Sequence, residues 1–479
     1  MRYQIVVRYI GVILIFVSTF LFISAIISWS YNESSFLPLL YSAIISFLFG
    51  IFPIIFVPAV HSISNREGFL VVAMSWLLSC LVGILPYILW GGEFTVTDAW
   101  FESVSGFTTT GSTILSEIES LPKGLLFWRS STHWIGGIGI VIFVLSVLPA
   151  FEHSRHTLYK SEMSSLAIEN FKSRSQKTFH IILVVYIGLT VLETICLLLA
   201  GMNLFDAINH SFATVATGGF STKNLSVAGF DNLSIEIIIM VFMMLSGIHF
   251  GLLFFAVTNN MKVLWKSSVV KYFIASIFIG ISLVAFNIYL SGYYTFGDAL
   301  RYASFQVISV GTTTGFATID TKFWPAFSVL ILIFFTLQCG CAGSTSGGIK
   351  VDRVLIFFMA IKKQFIQLFH PNAITVLKLN NTTIQDTMLQ GVIIYIIFYI
   401  LVVFVSSILL TALGVDILTA FSGSAAAMGN VGPGFGNVNS MGNFGTLPNL
   451  GKWILSFVML LGRLEIYGLI LLFKTTSWK

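Results

Sequence analysis

Gly311-Thr312-Thr313-Thr314-Gly315-Phe316 is a polar, backbone-flexible hexapeptide in a chain that is otherwise mostly lipid-soluble. It has counterparts in the same chain. Thr108-Thr109-Thr110-Gly111-Ser112 has the same character, Thr217-Gly218-Gly219-Phe220 shares its Gly-Phe ending, and Asn430-Val431-Gly432-Pro433-Gly434 is a looser fourth copy. With Gly111, Gly219, Gly315 and Gly432 taken as equivalent, successive copies stand 108, 96 and 117 residues apart. Four loops at such intervals are what one polypeptide needs to build a fourfold ring around an axis.

The surrounding composition says where such a ring would sit. Charged residues make up 9% of the 479 and hydrophobic residues 56%, and mean hydropathy is +0.92. Long apolar runs recur over the whole length, which defines an all-α polytopic membrane protein. The runs are continuous and do not alternate, which excludes a β-barrel. Cys80, Cys196, Cys339 and Cys341 fall in or beside apolar segments and suggest neither a disulfide framework nor a zinc site. The apolar stretch at 9–27 lacks a cleavage-site pattern and reads as a retained helix.

Spans are expected at about 8–29, 36–60, 68–90, 124–149, 178–201, 235–258, 270–291, 324–358, 388–413 and 450–473. Shorter segments at about 95–107, 205–216, 296–310 and 416–429 cannot cross, and each runs into one of the Gly/Thr loops. They read as re-entrant pore helices, tolerated at membrane depth only where they line a cavity or are buried in protein. The expected organisation is a two-helix hairpin (1–67) followed by four span–pore-helix–span repeats around a central pore, at 68–150, 151–258, 259–369 and 370–479.

Charge gives the orientation. With both termini cytoplasmic, the only Lys and Arg left outside are Lys123, Arg129, Lys223, Arg301, Lys322 and Lys452, a clear positive-inside bias among the 25 basic residues. Most acids then fall outside, so the outer face should concentrate cations. Asp98, Asp206, Asp298 and, more weakly, Asp416 stand near the pore-helix starts, where they cap free amides and offset the dipole. Helices entering from outside would aim their negative ends at the membrane centre, which favours a cation there. Glycine in the following loops would let successive carbonyls face one side and replace a cation's hydration shell.

At these residues the chain resembles the TrkH/KtrB family of bacterial potassium-uptake proteins, with a leader hairpin that makes it more like the TrkH branch. Further matches are Asn65-Arg66-Glu67-Gly68-Phe69, Trp134-Ile135-Gly136-Gly137-Ile138-Gly139, Leu158-Tyr159-Lys160-Ser161-Glu162-Met163, Cys339 to Lys350, His370-Pro371-Asn372-Ala373 and Gly462-Arg463-Leu464-Glu465-Ile466-Tyr467. The resemblance implies potassium as the transported ion, with one filter glycine per repeat, a homodimer with a pore in each subunit, and a cytosolic TrkA-type nucleotide-binding regulatory ring. It places the chain in the bacterial inner membrane. On this reading the filter is Thr109, Thr110, Gly111, Thr217, Gly218, Gly219, Thr313, Thr314, Gly315, Asn430, Val431 and Gly432. Gly218 and Asn430-Val431 depart from the Thr-rich pattern, so the ring would be chemically asymmetric.

Three other features bear on function. The run from Gly340 to Gly348 holds four glycines (Gly340, Gly343, Gly347, Gly348) and the hydroxyls of Ser344, Thr345 and Ser346, and cannot sustain a helix in hydrocarbon. It should line the aqueous path below the filter as a gate, the alternative being a close-packing site for neighbouring helices. Arg463 lies mid-span, where a charge costs about 2.5–3.5 kcal/mol on insertion scales. It is expected to face the pore as an electrostatic barrier, or else to pair with an acid on another helix. Glu193 is either a proton-coupling carboxylate or a paired or snorkelling structural residue, and His133 and His249 read as helix-packing residues.

No catalytic constellation, phosphate-cradling loop or organic-cofactor motif occurs, so an enzyme is not expected, nor is a nucleic-acid partner. The basic loops at 151–177 and 350–380 suit a protein partner or anionic membrane lipid. Passive flow through a pore competes with a second class, a secondary transporter coupling entry to sodium or protons. A membrane protein without transport would leave the four loops unexplained.

Overall fold

The computed structural model describes residues 2–58, 65–139, 175–371, 376–380 and 382–465. Helices α1 (Tyr3–Ser30) and α2 (Phe36–Phe56) form the leading hairpin. Gly11 and Gly50 face each other so closely that a Cβ on Gly50 would stand 2.7 Å from the Gly11 carbonyl oxygen. Small residues of this kind let two membrane helices approach at the backbone. Buried hydroxyls secure the pair: Ser28 and Ser35 are 2.7 Å apart at the turn, and Ser46 donates to the Leu14 carbonyl. Glu33 then accepts the backbone amides of Lys123 and Gly124, which joins the hairpin to the rest of the bundle.

The four units follow. The first comprises α3 (Asn65–Gly83), α4 (Leu85–Trp90), the short α5 (Val96–Phe107) and α6 (Lys123–Ile138). The second comprises α7 (Ser175–Leu199), the short α8 (Leu204–Val215), α9 (Leu233–Ser246) and α10 (Phe250–Thr258). After α11 (Lys262–Lys266), the third has α12 (Ser268–Leu290), the short α13 (Phe296–Gly311), α14 (Ala326–Leu337) and α15 (Val351–Phe369). The fourth has α16 (Asp386–Ala412), the short α17 (Ile417–Gly429) and α18 (Asn449–Arg463). A small antiparallel hairpin pairs β1 (Lys378–Leu379) with β2 (Thr382–Thr383), and an isolated parallel bridge joins Gln338 to Ile349.

Six described helices or helix pairs are long and apolar enough to cross a membrane: Tyr3–Ser30, Phe36–Phe56, Leu70–Trp90, His180–Leu199, Ser268–Leu290 and Asp386–Ala412. The other four expected spans differ. The stretch expected as one helix over 235–258 is two, α9 and α10, bent by 103°. Its apolar composition hides the break, which rests on Gly247 and on His249, whose Nδ1 caps the Gly251 amide. The stretch at 324–358 is likewise divided, into α14 and α15 with the glycine loop between them. The expected spans at 124–149 and 450–473 are helical as far as Ile138 and Arg463, and their remainders lie outside the described residues. So do the loop at 151–174, the motif at 158–163, Asn372-Ala373 and Ile466-Tyr467.

Candidate functional site

The four short helices begin alike. Thr95, Asn203 and Thr295 occupy the N-cap and accept from the amide of the Asp three residues on, while the same side chains donate to that Asp's carboxylate. This reciprocal box satisfies free amides at the helix start. Asp416 breaks the expected equivalence, because it is itself the N-cap, accepting from Thr419. Aligned on their caps, Thr95, Asn203 and Asp416 each precede their loop glycine by 16 residues, and Thr295 by 20, about one extra helical turn.

They also end alike. Thr110 donates to the Ser105 carbonyl and Thr109 to Gly106. The same two bonds join Gly218 to Ala213 with Thr217 to Thr214, Thr314 to Ser309 with Thr313 to Val310, and Val431 to Ala426 with Asn430 to Ala427. This is the Schellman closure, which requires a left-handed residue just past the helix. That residue is Thr109 (φ 55°), Thr217 (53°), Thr313 (61°) and Asn430 (52°), and two positions on stand Gly111 (80°), Gly219 (82°), Gly315 (80°) and Gly432 (103°). Positive φ in a β-branched residue is rare and costs of order 1–3 kcal/mol. Three of the four loops carry that strain at the same place.

The loops close on one another. A side chain added to Gly111 would collide with the Gly218 carbonyl, one on Gly219 with that of Thr314, one on Gly315 with that of Val431, and one on Gly432 with that of Thr110. First touches second, second third, third fourth, and fourth first, so the backbones stand in a ring with no space for a methyl group between neighbours. All twelve residues expected at the filter belong to this ring or its immediate wall, and all are buried except the half-buried Gly111, Gly219 and Gly315.

Its asymmetry has a local cause. A side chain on Gly218 would run into the ring of His133, which stacks on Phe220 at 4.1 Å. His133 is therefore a wall of the second loop, more than a helix-packing residue, and it fills the space that Thr110 and Thr314 use in their own repeats. Gly218→Thr should overpack this site by about 1–3 kcal/mol and depress cation uptake roughly tenfold or more. Adding His133→Ala should restore part of it, which uptake by the single and double variants will read. In the fourth loop the Asn430 side chain donates to the Thr110 hydroxyl and to the Met459 carbonyl, each at 3.0 Å, so this departure bridges two loops.

One functional position escaped sequence reasoning. Nine residues before each glycine stand Glu102, His210, Gln306 and Gly423, four dissimilar types, of which the first three brace the strand leaving the ring. Glu102 accepts from Thr113 and from the Ile114 amide, His210 Nε2 bonds the Ser221 hydroxyl at 2.9 Å, and Gln306 donates to the Ile319 carbonyl. Gly423 has no side chain to contribute, and Ser422 takes over by accepting from the Phe435 amide. Glu102 also pairs at 2.6 Å with the buried Arg129, whose guanidinium lies 4.0 Å over Phe220 and donates to the Ser221 carbonyl, so the pair clamps the first two loops together. Only the equal spacing to the glycine could have revealed this position.

Beyond the ring lies a cavity of about 80 Å³ lined by Gly111, Gly219, Gly315, Pro433 and mostly neutral polar residues. Its charged lining is Arg129 and Lys223, so the acidic excess expected of the outer face does not reach this mouth. At the other side, where the short helices end, sits the glycine loop. Thr345 donates to the Val215 carbonyl at the end of α8, the Gly347 amide donates to the Thr313 hydroxyl, and a side chain on Gly347 would meet the Gly429 carbonyl. Gly340 packs on Gly247, Gly343 (φ 80°) on His249, and Gly348 (φ 60°) on Cys339, while the Ser344 hydroxyl bonds that of Ser346 at 2.7 Å. Two amide bonds, Cys341 to Gly247 and Phe250 to Gly343, stitch the loop into the α9–α10 break. His249, expected as a packing residue, holds that junction.

Arg463 meets the loop from α18. It donates to the Thr345 carbonyl at 3.0 Å and, across the site, to the Gly136 carbonyl of α6 at 2.5 Å. The neighbouring acid Glu465 is engaged elsewhere, with Arg353 at 2.5 Å. Glu193 does not snorkel: it is fully buried beside Thr214 of α8, and its oxygens have no partner of normal hydrogen-bond geometry among the described residues.

A ring of four like loops thus has a glycine loop packed against one side, and the chain has relatives of known family. The model of a family described as TrkH, cation transport protein, matches residues 45–479. The chain belongs to the TrkH family of cation transport proteins. It is 39% identical to the Trk system potassium uptake protein TrkH of Escherichia coli K12, with 87% of each chain covered. It is 34% identical to the protein of that name from Vibrio parahaemolyticus over the full length of both. The crystal structure of the potassium transporter TrkH from Vibrio parahaemolyticus superposes with a TM-score of 0.90 at 32% identity, covering all of both chains. Membership makes this TrkH-family chain a multi-pass membrane protein of cation transport and not an enzyme.

Proposed function

We propose that this protein takes up potassium across the bacterial cytoplasmic membrane through a channel-like pore. The closed ring of four loops with one shared backbone pattern carries the proposal. Backbone oxygens of Thr109, Thr110, Gly111, Thr217, Gly218, Gly219, Thr313, Thr314, Gly315, Asn430, Val431 and Gly432 replace the hydration shell of a dehydrated potassium ion, helped by the negative ends of four short helices. The relatives named above are potassium-uptake proteins of the Trk system, which supports both the ion and a system of several components.

The loop holding Gly340, Gly343, Ser344, Thr345, Gly347 and Gly348 acts as the gate. It hydrogen-bonds to elements of the second and third units, packs on the fourth, and is reached from the last helix by Arg463, so its displacement would unblock the path. Arg463 adds a positive barrier there. A homodimer, cytoplasmic termini and a cytosolic nucleotide-binding regulatory ring of the TrkA type complete the reading.

Flux into proteoliposomes under an imposed voltage, with each alkali cation in turn and no sodium or pH gradient, tests it. Potassium current under voltage alone is the expected result. Transport that requires a second gradient would replace the pore with a coupled carrier, for which the buried carboxylate of Glu193 is the candidate proton site.

A further inference from the structure

A second cavity, of about 580 Å³, opens where α10, α11 and the start of α12 meet the β-hairpin. Asn380, left-handed at the hairpin turn, accepts the Ser268 amide at 2.7 Å and so folds the hairpin over the start of α12. The buried Leu379 and Ile384 anchor it there. The volume lies within the roughly 300–1,000 Å³ of small-molecule sites. The apolar part of the lining is Leu252, Phe255 and Val263. The polar part includes Asn259, Asn380, Lys266 and Lys378, with Asn259 and Lys266 interspersed with the apolar residues along α10 and α11.

The charge on this cavity is unbalanced. Among the described residues, Lys266 and Lys378 are its only charged lining, no carboxylate lines it, and neither lysine forms an ion pair. Three lysines elsewhere are neutralised, Lys223 by Glu119, Lys363 by Asp386 and Lys452 by Asp98, while others such as Lys262 and Lys271 also lack an ion pair among the described residues. Another cavity, between α15 and α16, contains both Lys363 and Asp386 and is thus self-compensated. Two uncompensated ammonium groups and two amide side chains in one cavity with apolar side chains match an amphipathic or compact anion whose charge is carried by phosphate oxygens.

We infer that this cavity binds a phosphate-bearing anion, either the headgroup of an acidic phospholipid or a free phosphate compound. Its occupancy is positioned to reach the glycine loop. His249 lines the cavity, caps α10 and packs against Gly343, and the adjoining Phe250 amide holds the Gly343 carbonyl. That link to transport rests on the gate reading above. Binding itself does not.

The test therefore measures binding in detergent, with no ion flux. The full-length protein is titrated with short-chain phosphatidylglycerol, short-chain phosphatidylcholine, inorganic phosphate and ATP, read by the shift in thermal unfolding. The same titrations are run on Lys266→Gln/Lys378→Gln and on a control, Lys262→Gln/Lys271→Gln, which removes equal charge from lysines outside the cavity. Phosphatidylglycerol binding that weakens at least tenfold in the cavity variant and is unchanged in the control supports the site with lipid as its source. The same pattern with inorganic phosphate or ATP supports it with a soluble source. Equal weakening in both variants, or no binding of any anion above phosphatidylcholine, overturns it.

Discussion

Gly219→Ala is expected to abolish potassium uptake while the protein still folds and reaches the membrane. Two costs add at this position. Gly219 holds φ 82°, where a residue with a Cβ pays about 1–2 kcal/mol, and the new methyl would enter the Thr314 carbonyl, an overpacking cost of about 1–3 kcal/mol. The neighbouring loop has little give, because Thr313 and Thr314 are tied to Val310 and Ser309 and Thr313 is itself strained. A total of about 2–5 kcal/mol levied on the ion-binding geometry corresponds to a loss of at least roughly thirtyfold. Gly188→Ala is the control, since a Cβ there meets open space. Uptake by potassium-starved cells, with surface expression measured alongside, reads both. Normal uptake by Gly219→Ala would mean that the close packing of the loops is not what conducts.

The second large effect has the opposite sign. Arg463→Ala should raise potassium flux and flatten its dependence on voltage. At a separation of roughly 8 Å and an effective dielectric constant of about 20, the guanidinium repels a passing cation by about 2 kcal/mol. Water in the path screens part of that, which leaves an increase of about tenfold. The same change removes the bonds to the Thr345 and Gly136 carbonyls, so the glycine loop is freed as well. Arg463→Lys separates the two effects. It retains the charge but loses the planar fork that spans two carbonyls, so flux near the wild type identifies charge as the barrier, and flux near the alanine variant identifies the strut. Unchanged flux and voltage dependence in Arg463→Ala would remove Arg463 from the conduction path.

The parts of this architecture visible in the sequence are those where polarity interrupts a hydrocarbon-compatible chain. The loop glycines, the Gly340–Gly348 run and Arg463 stand out because each is costly in lipid without a specific purpose. What stayed hidden has no such signature. Nothing in Thr109, Thr217 or Thr313 announces left-handed backbone, since threonine avoids it; the surrounding helix closure imposes it. The α9–α10 break lacks proline and sits in apolar residues, so hydropathy ran straight through it. The bracing position has no common residue type, because a carboxylate, an imidazole and an amide each solve the same local problem and in the fourth unit the neighbouring Ser422 does so. Asp416 stands near a helix start like the other three aspartates, and that it is itself the N-cap is a difference the sequence does not announce.

Rubidium mimics potassium in size and scatters X-rays anomalously, so crystals grown in rubidium report directly where a dehydrated cation rests. The account predicts an anomalous peak on the common axis, within about 3 Å of backbone oxygens from all four loops, and its loss in Gly219→Ala. Rubidium found only in the outer cavity or beside Glu193, with the ring empty, would contradict it.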